Sequence, residues 1–529
     1  MAISISELVL PVDIFPLLLA GAGMVLLAWL AGRFVERDRR RFAVRSLAAP
    51  QSPVMDRPLR QGDPANAAFL QDLQGNILNG HGRDLAAHIF VRFAPGASAA
   101  ARGWIAGFAQ EHVRSAYEQF QGSRQFKLLG TDAGIFGHVA LSSSGYKALG
   151  FDAAQQPKGL NPRGHEDGKG YEEVFGKGLK SRQQILHDPE SDAWEDAYKG
   201  EIHMLLILAA DNKSALESSL FATLAGLKGI AESVHVERGE GLTKQLDPND
   251  KSSVVHVEHF GFVDGRSQPL MLEEQIEAER KNGGTDKWDP TAPLNLVLAP
   301  DPLGKPGESF GSFLVYRKLE QDVRGFHKGM YDLARALNVP VELARAMVMG
   351  RFQDGTPVAT NEKGGSTKVD NNFNFDDDKE GSKCPFHSHI RKANPRSKDP
   401  RGAQNQLRHR IARRGIPYGG ALVESDRLDD LPETGRGLLF FCYQADIFEQ
   451  FEFIQRTWSN FPNFPKPDTG LDTVIGQQDP KAPSQAARNW PSGWGKPATC
   501  PGVDIAGFVR MKGGEYFFSP SLSFLKGLS

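Results

Sequence analysis

The sequence predicts a protein of mixed α-helices and β-strands, preceded by one membrane-spanning helix. Short apolar runs, which are typical of strands, interleave with a helix-like segment in the first half of the chain. A second series of this kind starts at Val254, and an uncharged apolar stretch stands close to the N-terminus. The strand-like runs are residues 86–93, 138–141 and 202–208, the helix-like segment is 214–225, and the uncharged stretch is 14–32.

Residues 14–32 have the properties of a transmembrane helix. These 19 residues carry no charge and are rich in Leu, Ala, Val and Gly, which is close to the minimum length that spans a bilayer. A signal peptide fits less well, because Glu7 and Asp13 stand where it would carry positive charge, and an interfacial helix would need a polar face. The positive-inside rule predicts a single-pass anchor with the N-terminus outside and the remaining chain in the cytoplasm. The arginines that decide this follow the stretch: Arg33, Arg37, Arg39, Arg40, Arg41 and Arg45.

The composition limits the organisation and the partners of the chain. With 529 residues it is longer than one typical domain, and 62 basic against 64 acidic residues leave no positive excess for nucleic acid. Residues 46–65 are rich in Pro, Ala, Gln and charge, which is typical of a linker. We therefore expect an anchor with its basic flank at 1–45, a linker at 46–65 and a folded body from residue 66.

The most informative segment is residues 259–269, His-Phe-Gly-Phe-Val-Asp-Gly-Arg-Ser-Gln-Pro. The alternation of apolar and polar residues over 254–262 predicts a strand that ends at Gly265 and Pro269. Asp264 would then stand at a strand end between flexible glycines, where a ligand can approach it. Taken alone, an Asp-Gly dipeptide is ordinary turn chemistry.

Three motifs, in one order along the chain, resemble those of the DyP-type (dye-decolourising) haem peroxidases. Residues 261–265 match the family's Gly-x-x-Asp-Gly signature, 384–396 resemble its proximal-histidine segment, and 409–419 resemble its distal-arginine segment. Weaker likeness covers nearly everything from about residue 66. The resemblance implies an α+β fold of the dimeric α/β-barrel type. In that fold two ferredoxin-like halves with antiparallel sheets, 66–250 and 251–529, follow the anchor, and the second half holds the haem.

The resemblance also implies an activity and a cofactor. We expect a haem-dependent peroxidase that reduces hydrogen peroxide and oxidises aromatic, phenolic or dye-like electron donors. The cofactor expected is non-covalent haem b, since Cys384, Cys442 and Cys500 form no CxxC pair. A haem carrier or sensor would not need the distal acid and arginine, and an iron-releasing protein on the same fold stays open. Whether the protein forms a homo-oligomer also stays open.

His389 is the residue that the resemblance selects as the axial ligand of the haem iron. On the residues alone His387 and His409 compete with it, but the family's ligand directly precedes an Ile-Arg pair. The basic side chains that follow would meet the haem propionates: Arg391, Lys392 and Arg396. Asp472 could accept the second imidazole N–H, as ligating histidines usually require, although a plain turn residue is the favoured interpretation of it.

On the opposite side of the haem, the resemblance assigns Asp264 as the proton shuttle and Arg413 as the cation that stabilises departing oxygen. Arg410 and Arg414 are interpreted as solvated residues or propionate clamps. An unperturbed aspartate ionises near pH 4, so we expect an acidic optimum. The supporting residues are Gly265, which tightens the backbone, Leu438 and Phe440, which would wall the pocket, and Tyr418, an electron carrier or a packed core residue.

Overall fold

A computed structural model describes residues 55–130, 134–158, 172–367, 370–397, 400–479, 489–501 and 505–528. The predicted transmembrane stretch 14–32 and its basic flank 33–45 lie outside these ranges. Within them, no helix is both long and apolar enough to cross a membrane.

The N-terminal half is built on four antiparallel strands. These are β1 (Leu85–Phe93), β2 (Phe136–Leu141), β3 (Met204–Ala210) and β4 (Ala231–Glu240), and they lie side by side in the order β2-β3-β1-β4. Helices α1 (Ser98–Glu111) and α2 (Ala116–Leu129) connect β1 to β2, and α3 (Lys213–Gly226) connects β3 to β4. The predicted strands and helix of this half therefore fall within or beside observed elements.

The C-terminal half repeats this strand order with much longer connections. Its strands are β5 (Phe310–Gln321), β6 (Ile416–Tyr418), β7 (Gly437–Gln444) and β8 (Val509–Ser519), in the order β6-β7-β5-β8. The helices are α4 (Glu273–Asn282), ahead of β5, and four in the connection from β5 to β6: α5 (Val323–Leu337), α6 (Val341–Met349), α7 (His389–Ala393) and α8 (Pro400–His409). In both halves the strands thus lie side by side in the same order: the second strand along the chain, then the third, the first and the fourth.

Shorter elements complete the described chain. Two short strands join the sheet, Ala299–Pro300 beside β5 and Ala412–Arg413 beside β7. Two-stranded sheets are formed by Leu242–Gln245 with Val254–Val257 and by Asn489–Pro491 with Ala498–Pro501. The remaining helices are Ala67–Asp72, Ser143–Ala148, Glu172–Phe175, Gln183–Leu186, Asp196–Lys199 and Leu522–Lys526, and π-helical turns cover Phe448–Glu452 and Ile454–Ser459.

The two halves share one sheet and one core. In the described residues ten strands form that sheet, and β8 joins β2 at a single aligned pair, Phe518 with Leu141. The described residues within 55–61 and 66–528 form one unit. Leu59 is buried and pairs with Leu272, so the body begins before the boundary predicted at residue 66. One apolar cluster runs through both halves, and a second packs α5 and α6 onto Phe260 and Phe262.

Candidate active site

A cavity in the C-terminal half brings together most of the predicted site residues. The space between its lining atoms, including the open mouth, is about 1750 Å³. His389 and Asn394 line one part of it, and Asp264, Arg413 and Phe440 line another.

The first wall is centred on His389, the first residue of α7. Its Nδ1 lies 3.0 and 3.1 Å from the two carboxylate oxygens of Asp472, so the imidazole donates this N–H and Nε2 is left to bind a metal. Asp472 is fully buried and also accepts the amides of Val474 (2.8 Å) and Ile475 (3.0 Å). Burial alone would raise the pKa of Asp472, but His389 and these amides hold it below its ordinary value. The favoured interpretation of Asp472 as a plain turn residue was therefore wrong.

The other candidate histidines lie away from the cavity. His387 is buried against the indole of Trp490, with 4.4 Å between ring centroids. His409 faces the carbonyl of Glu449 and stacks on Phe453 at 3.6 Å. Of the three histidines, His389 is the one that lines the cavity.

The second wall carries the Asp264 and Arg413 pair. Nη1 of Arg413 lies 3.9 Å from a carboxylate oxygen of Asp264, and both side chains are about one-third exposed. Arg413 also donates to the carbonyl of Arg266 at 2.6 Å. It sits on the short strand beside β7, and successive residues of a strand point to opposite faces. Arg414 accordingly turns away and donates to the carbonyls of Asn76 and Ile77.

The segment that presents Asp264 is a tight reversal rather than the end of a long strand. The strand predicted over 254–262 stops at Val257, and the chain folds back so that the amide of Asp264 donates to the carbonyl of His256 at 2.9 Å. Gly261 has φ 87°, and a Cβ there would lie 2.6 Å from Nε2 of Gln353. A side chain at Gly261 would therefore displace the turn.

The basic residues predicted to meet the propionates separate into two groups. Arg396 lines the cavity, where it lies between Trp288 and Phe373 and donates to the carbonyl of Asn371 at 2.7 Å. Its burial lowers its pKa well below the ordinary value. Arg391 does not line the cavity, because it is buried in an ion pair with Asp378 at 2.7 Å. Arg391 thus lies outside the described cavity lining, and its contact with the cofactor stays a prediction.

Comparison with known proteins identifies the family. Residues 333–467 match the family model described as "Dyp-type peroxidase, C-terminal". The chain is 38% identical over 481 residues to the multifunctional dye peroxidase DyP2 of Amycolatopsis sp., covering 87% of this chain and 96% of that protein. The chain belongs to the DyP-type peroxidase family. Dye-decolorizing peroxidase msp1 of Mycetinis scorodonius is 29% identical, with 90% of this chain and 91% of that protein covered. The crystal structure of the DyP-type peroxidase of Anabaena sp. superimposes with a TM-score of 0.80 at 38% identity, covering 91% and 98% of the two chains.

This DyP-type protein is accordingly a haem-dependent peroxidase, and its α+β fold with an antiparallel sheet is that of the family. The carrier, sensor and iron-releasing alternatives are not favoured, since the relatives that match across the chain are named peroxidases. The predicted division into two ferredoxin-like halves is compatible with the repeated strand order.

Of the remaining residues predicted for the DyP-type site, some line the cavity and others lie outside it. Leu438 and Phe440 project from β7 into the cavity. Gly265 lies instead at a smaller polar cavity on the other side of Arg266, Ser267 and Pro269, which border both spaces. Tyr418 is buried outside the cavity, beneath the ammonium of Lys318 at 4.9 Å.

Sequence reasoning missed Arg351 and interpreted Arg410 as a solvated residue or a propionate clamp. Both line the cavity, and burial lowers the pKa of each to about 10. Nε of Arg410 is buried without a hydrogen-bond partner among the described residues. The Gly-Arg-Phe-Gln-Asp-Gly segment from residue 350 belonged to the family likeness, so Arg351 could have been found there.

Proposed function

We propose that His389 binds the iron of haem b, that Asp264 moves the proton of hydrogen peroxide, and that Arg413 stabilises the charge that develops. The arrangement of one cavity carries this proposal. An imidazole held at Nδ1 by the buried carboxylate of Asp472 lines one wall, and the Asp264 and Arg413 pair lines another. A haem-ligating histidine usually donates its other N–H in this way.

The charges around the cavity suit a haem and its two propionates. Six arginines line it against two acidic residues, and Asp188 neutralises one of them, Arg317. A buried excess of positive charge is stabilised by bound carboxylates. We assign the propionates to the three of these arginines whose pKa is lowered by burial: Arg351, Arg396 and Arg410. Cys384, Cys442 and Cys500 do not line the cavity, which favours non-covalent binding.

The residues of the two walls then perform separate tasks. When bound, haem supplies an iron that coordinates peroxide and takes up its oxidising equivalents. Asp264 accepts a proton from hydrogen peroxide and returns it to the departing oxygen, which leaves as water. Arg413 donates to that oxygen and stabilises its negative charge, for which a guanidinium needs no prior protonation. Asp472 accepts the Nδ1–H of His389 and thereby makes Nε2 a more basic ligand.

Aromatic and phenolic compounds, including dyes, are the electron donors that we propose. The relatives named dye peroxidases support this substrate class. Leu438, Phe440 and Phe451 supply an apolar wall for an aromatic ring. Electron transfer through Tyr418 to larger donors and an acidic pH optimum both stay predictions.

Stopped-flow spectroscopy of the full-length, haem-loaded protein tests the assignment. After mixing with one equivalent of peroxide, we expect a rapid change in the haem absorption, slowed about 100-fold or more in Asp264→Ala or Arg413→Ala. His256→Gln is the matched control, because His256 lies across the same turn with its side chain exposed. Parental rates in both test variants would refute the roles of Asp264 and Arg413.

We further propose that residues 14–32 anchor the enzyme by a single pass with the body on the cytoplasmic side. The basis is the uncharged run and the arginines that follow it. Removal of residues 1–45 should release the protein from the membrane fraction of a cell lysate. A full-length chain found in the soluble fraction would contradict the anchor, and its mass in solution would show whether it forms a homo-oligomer.

A further inference from the structure

Glu258 is a second carboxyl group in the wall of the cavity. Among the cavity residues that the structure describes, Asp264 and Glu258 are the acidic ones, and the roles proposed above use Asp264 alone. Glu258 directly follows the strand Val254–Val257 and begins the turn that leads to Asp264.

The carboxyl group of Glu258 ties this turn together. It accepts hydrogen bonds from the amides of Phe260 (2.9 Å) and Phe262 (3.0 Å), and Nε2 of Gln321 on β5 donates to it as well. The backbone closes over it, since the amide of Glu258 donates to the carbonyl of Phe262 at 3.1 Å. The amide of Gly261 donates in turn to the carbonyl of Glu258 at 2.8 Å. Glu258 thus holds the first part of the backbone that leads to Asp264, at Phe260 and Phe262 through its side chain and at Gly261 through its carbonyl.

Asp264 itself has little else to hold it. Among the described contacts, its carboxylate accepts the amide of the adjacent Gly265 at 2.6 Å and meets Arg413 at 3.9 Å. The position of this carboxylate is therefore set by its backbone. Glu258 holds that backbone at Phe260 and Phe262, and the carbonyls of Gln353 and His256 hold it at Val263 and Asp264.

Glu258 can be present in the cavity without adding a second negative charge. Burial, together with a smaller contribution from the nearby charge of Asp264, raises its pKa to about 7 against the effect of its three hydrogen bonds. Gln321, which faces it from β5, is uncharged. Below a pH of about 7, Glu258 is thus predominantly neutral. The charged side chains next to Gln321 are paired with β8: Glu320 with Lys512, and Asp322 with Arg510.

We propose that Glu258 is a positioning residue for the peroxide reaction, whose carboxyl group holds the turn so that Asp264 faces Arg413 in the cavity. This inference rests on the role proposed above for Asp264. It assigns to Glu258 no contact with peroxide and no proton transfer of its own.

The test measures two rates in the full-length, haem-loaded protein: cyanide binding to the ferric haem and the reaction with peroxide. Hydrogen cyanide must lose its proton to a base in the cavity, so cyanide binding reports on Asp264 without turnover. The variants are Glu258→Gln, Asp264→Ala and the double variant. Asp446→Asn is the matched control, because burial also raises the pKa of Asp446 to about 7 but its side chain does not line the cavity.

We expect Glu258→Gln to slow both rates by about 10- to 100-fold, the loss that a displacement of about 1 Å causes at a reacting centre. Asp446→Asn should keep parental rates. Because Glu258 acts through Asp264, the double variant should be no slower than Asp264→Ala alone. A double variant slower by the full effect of Glu258→Gln would overturn the inference, since the two residues would then act independently.

Two further outcomes distinguish a failure of the role of Glu258 from a failure of the role proposed for Asp264. Parental rates in Glu258→Gln together with slow rates in Asp264→Ala would overturn the role of Glu258 and leave that of Asp264 intact. Parental rates in Asp264→Ala would overturn both. If the Glu258→Gln variant does not bind haem, the Gln321→Leu variant is measured instead, because it removes one of the three hydrogen bonds to the Glu258 carboxyl group. A slower Gln321→Leu variant supports the inference, and an unchanged one refutes it.

Discussion

The two halves of the molecule have the same strand order, but the cavity with the haem ligand and the distal pair belongs to the C-terminal half. The difference lies in the connection between the first and second strands. In the N-terminal half α1 and α2 fill it, whereas in the C-terminal half it runs from Gln321 to Ile416 and contains His389 and Arg413. The scaffold alone therefore does not create the site: this connection supplies His389 and Arg413, whereas Asp264 precedes β5 and Asp472 lies between β7 and β8.

The N-terminal half nevertheless supports the cavity from behind. Its Asp188 binds Arg317, a cavity residue of β5, with one contact of 2.8 Å. Arg182 likewise forms a buried ion pair with Glu452 in the π-helical turn beside the cavity. The C-terminal half thus contains the proposed catalytic residues, and the N-terminal half holds residues that surround their cavity in place.

The largest expected effect distinguishes His389 in the C-terminal half from His138 in the N-terminal half. His389→Ala should abolish the Soret absorption of the haem-loaded protein, because it removes the axial ligand. His138→Gln, in the core of the N-terminal half, should keep it, since His138 bonds to Ser519 and Tyr443 instead of lining the cavity. Absorption spectra after haem titration measure both. A normal Soret band in His389→Ala would refute the ligand assignment.

The next largest effect is expected for Asp472, whose carboxylate accepts the Nδ1–H of His389. Asp472→Asn should weaken haem binding or slow the peroxide reaction by about 10- to 100-fold, the usual cost of losing such a partner. Haem titration and stopped-flow mixing give the two quantities. Asp446→Asn, a buried carboxyl outside the cavity, serves as control. If Asp472→Asn equals the parent in both, the 3.0 Å contact has no influence on the iron.

Arg413 and Arg414 are adjacent in the chain but have different roles. Arg413 belongs to the site, whereas Arg414 joins the two halves. Arg414→Ala should lower the free energy of unfolding by about 3 kcal/mol, because it leaves the carbonyls of Asn76 and Ile77 without their charged donor. Arg413→Ala should change stability by less than about 1 kcal/mol and lose the peroxide reaction. Denaturant unfolding and stopped-flow rates compare them. The reverse pattern would exchange the two roles.

The smallest effect concerns the acid stability of the N-terminal half. Burial lowers the pKa of His88 to about 4 and that of His138 to about 3. Between these values and about 6.5 the unfolded chain binds more protons than the folded chain, so stability falls as the pH falls through this range. His88 alone should cost about 2 kcal/mol at pH 5. His88→Gln should flatten the decrease in melting temperature from pH 7 to 5, and an unchanged slope would contradict this account.

The sequence predicts the local segments of this enzyme better than the contacts between distant segments. The apolar run in β1 and the motifs around Asp264, His389 and Arg413 were recognisable, because each depends on residues adjacent in the chain. The contact of Asp472 with His389 and the burial of Arg391 against Asp378 depend on distant segments folding together. Asp264 is a mixed case: its glycines indicated a turn, but not the reversal that brings it to His256.

Strand β8 has a consequence for how the enzyme is made. It lies between β5 and β2 and contributes Val509 to the cavity, yet it is the last strand of the described chain. Domains usually fold from the N-terminus while the ribosome is still adding residues. The four strands of the N-terminal half can therefore pair early, whereas the haem pocket has no complete wall until β8 has emerged. We therefore expect haem to bind only after β8 has been synthesised.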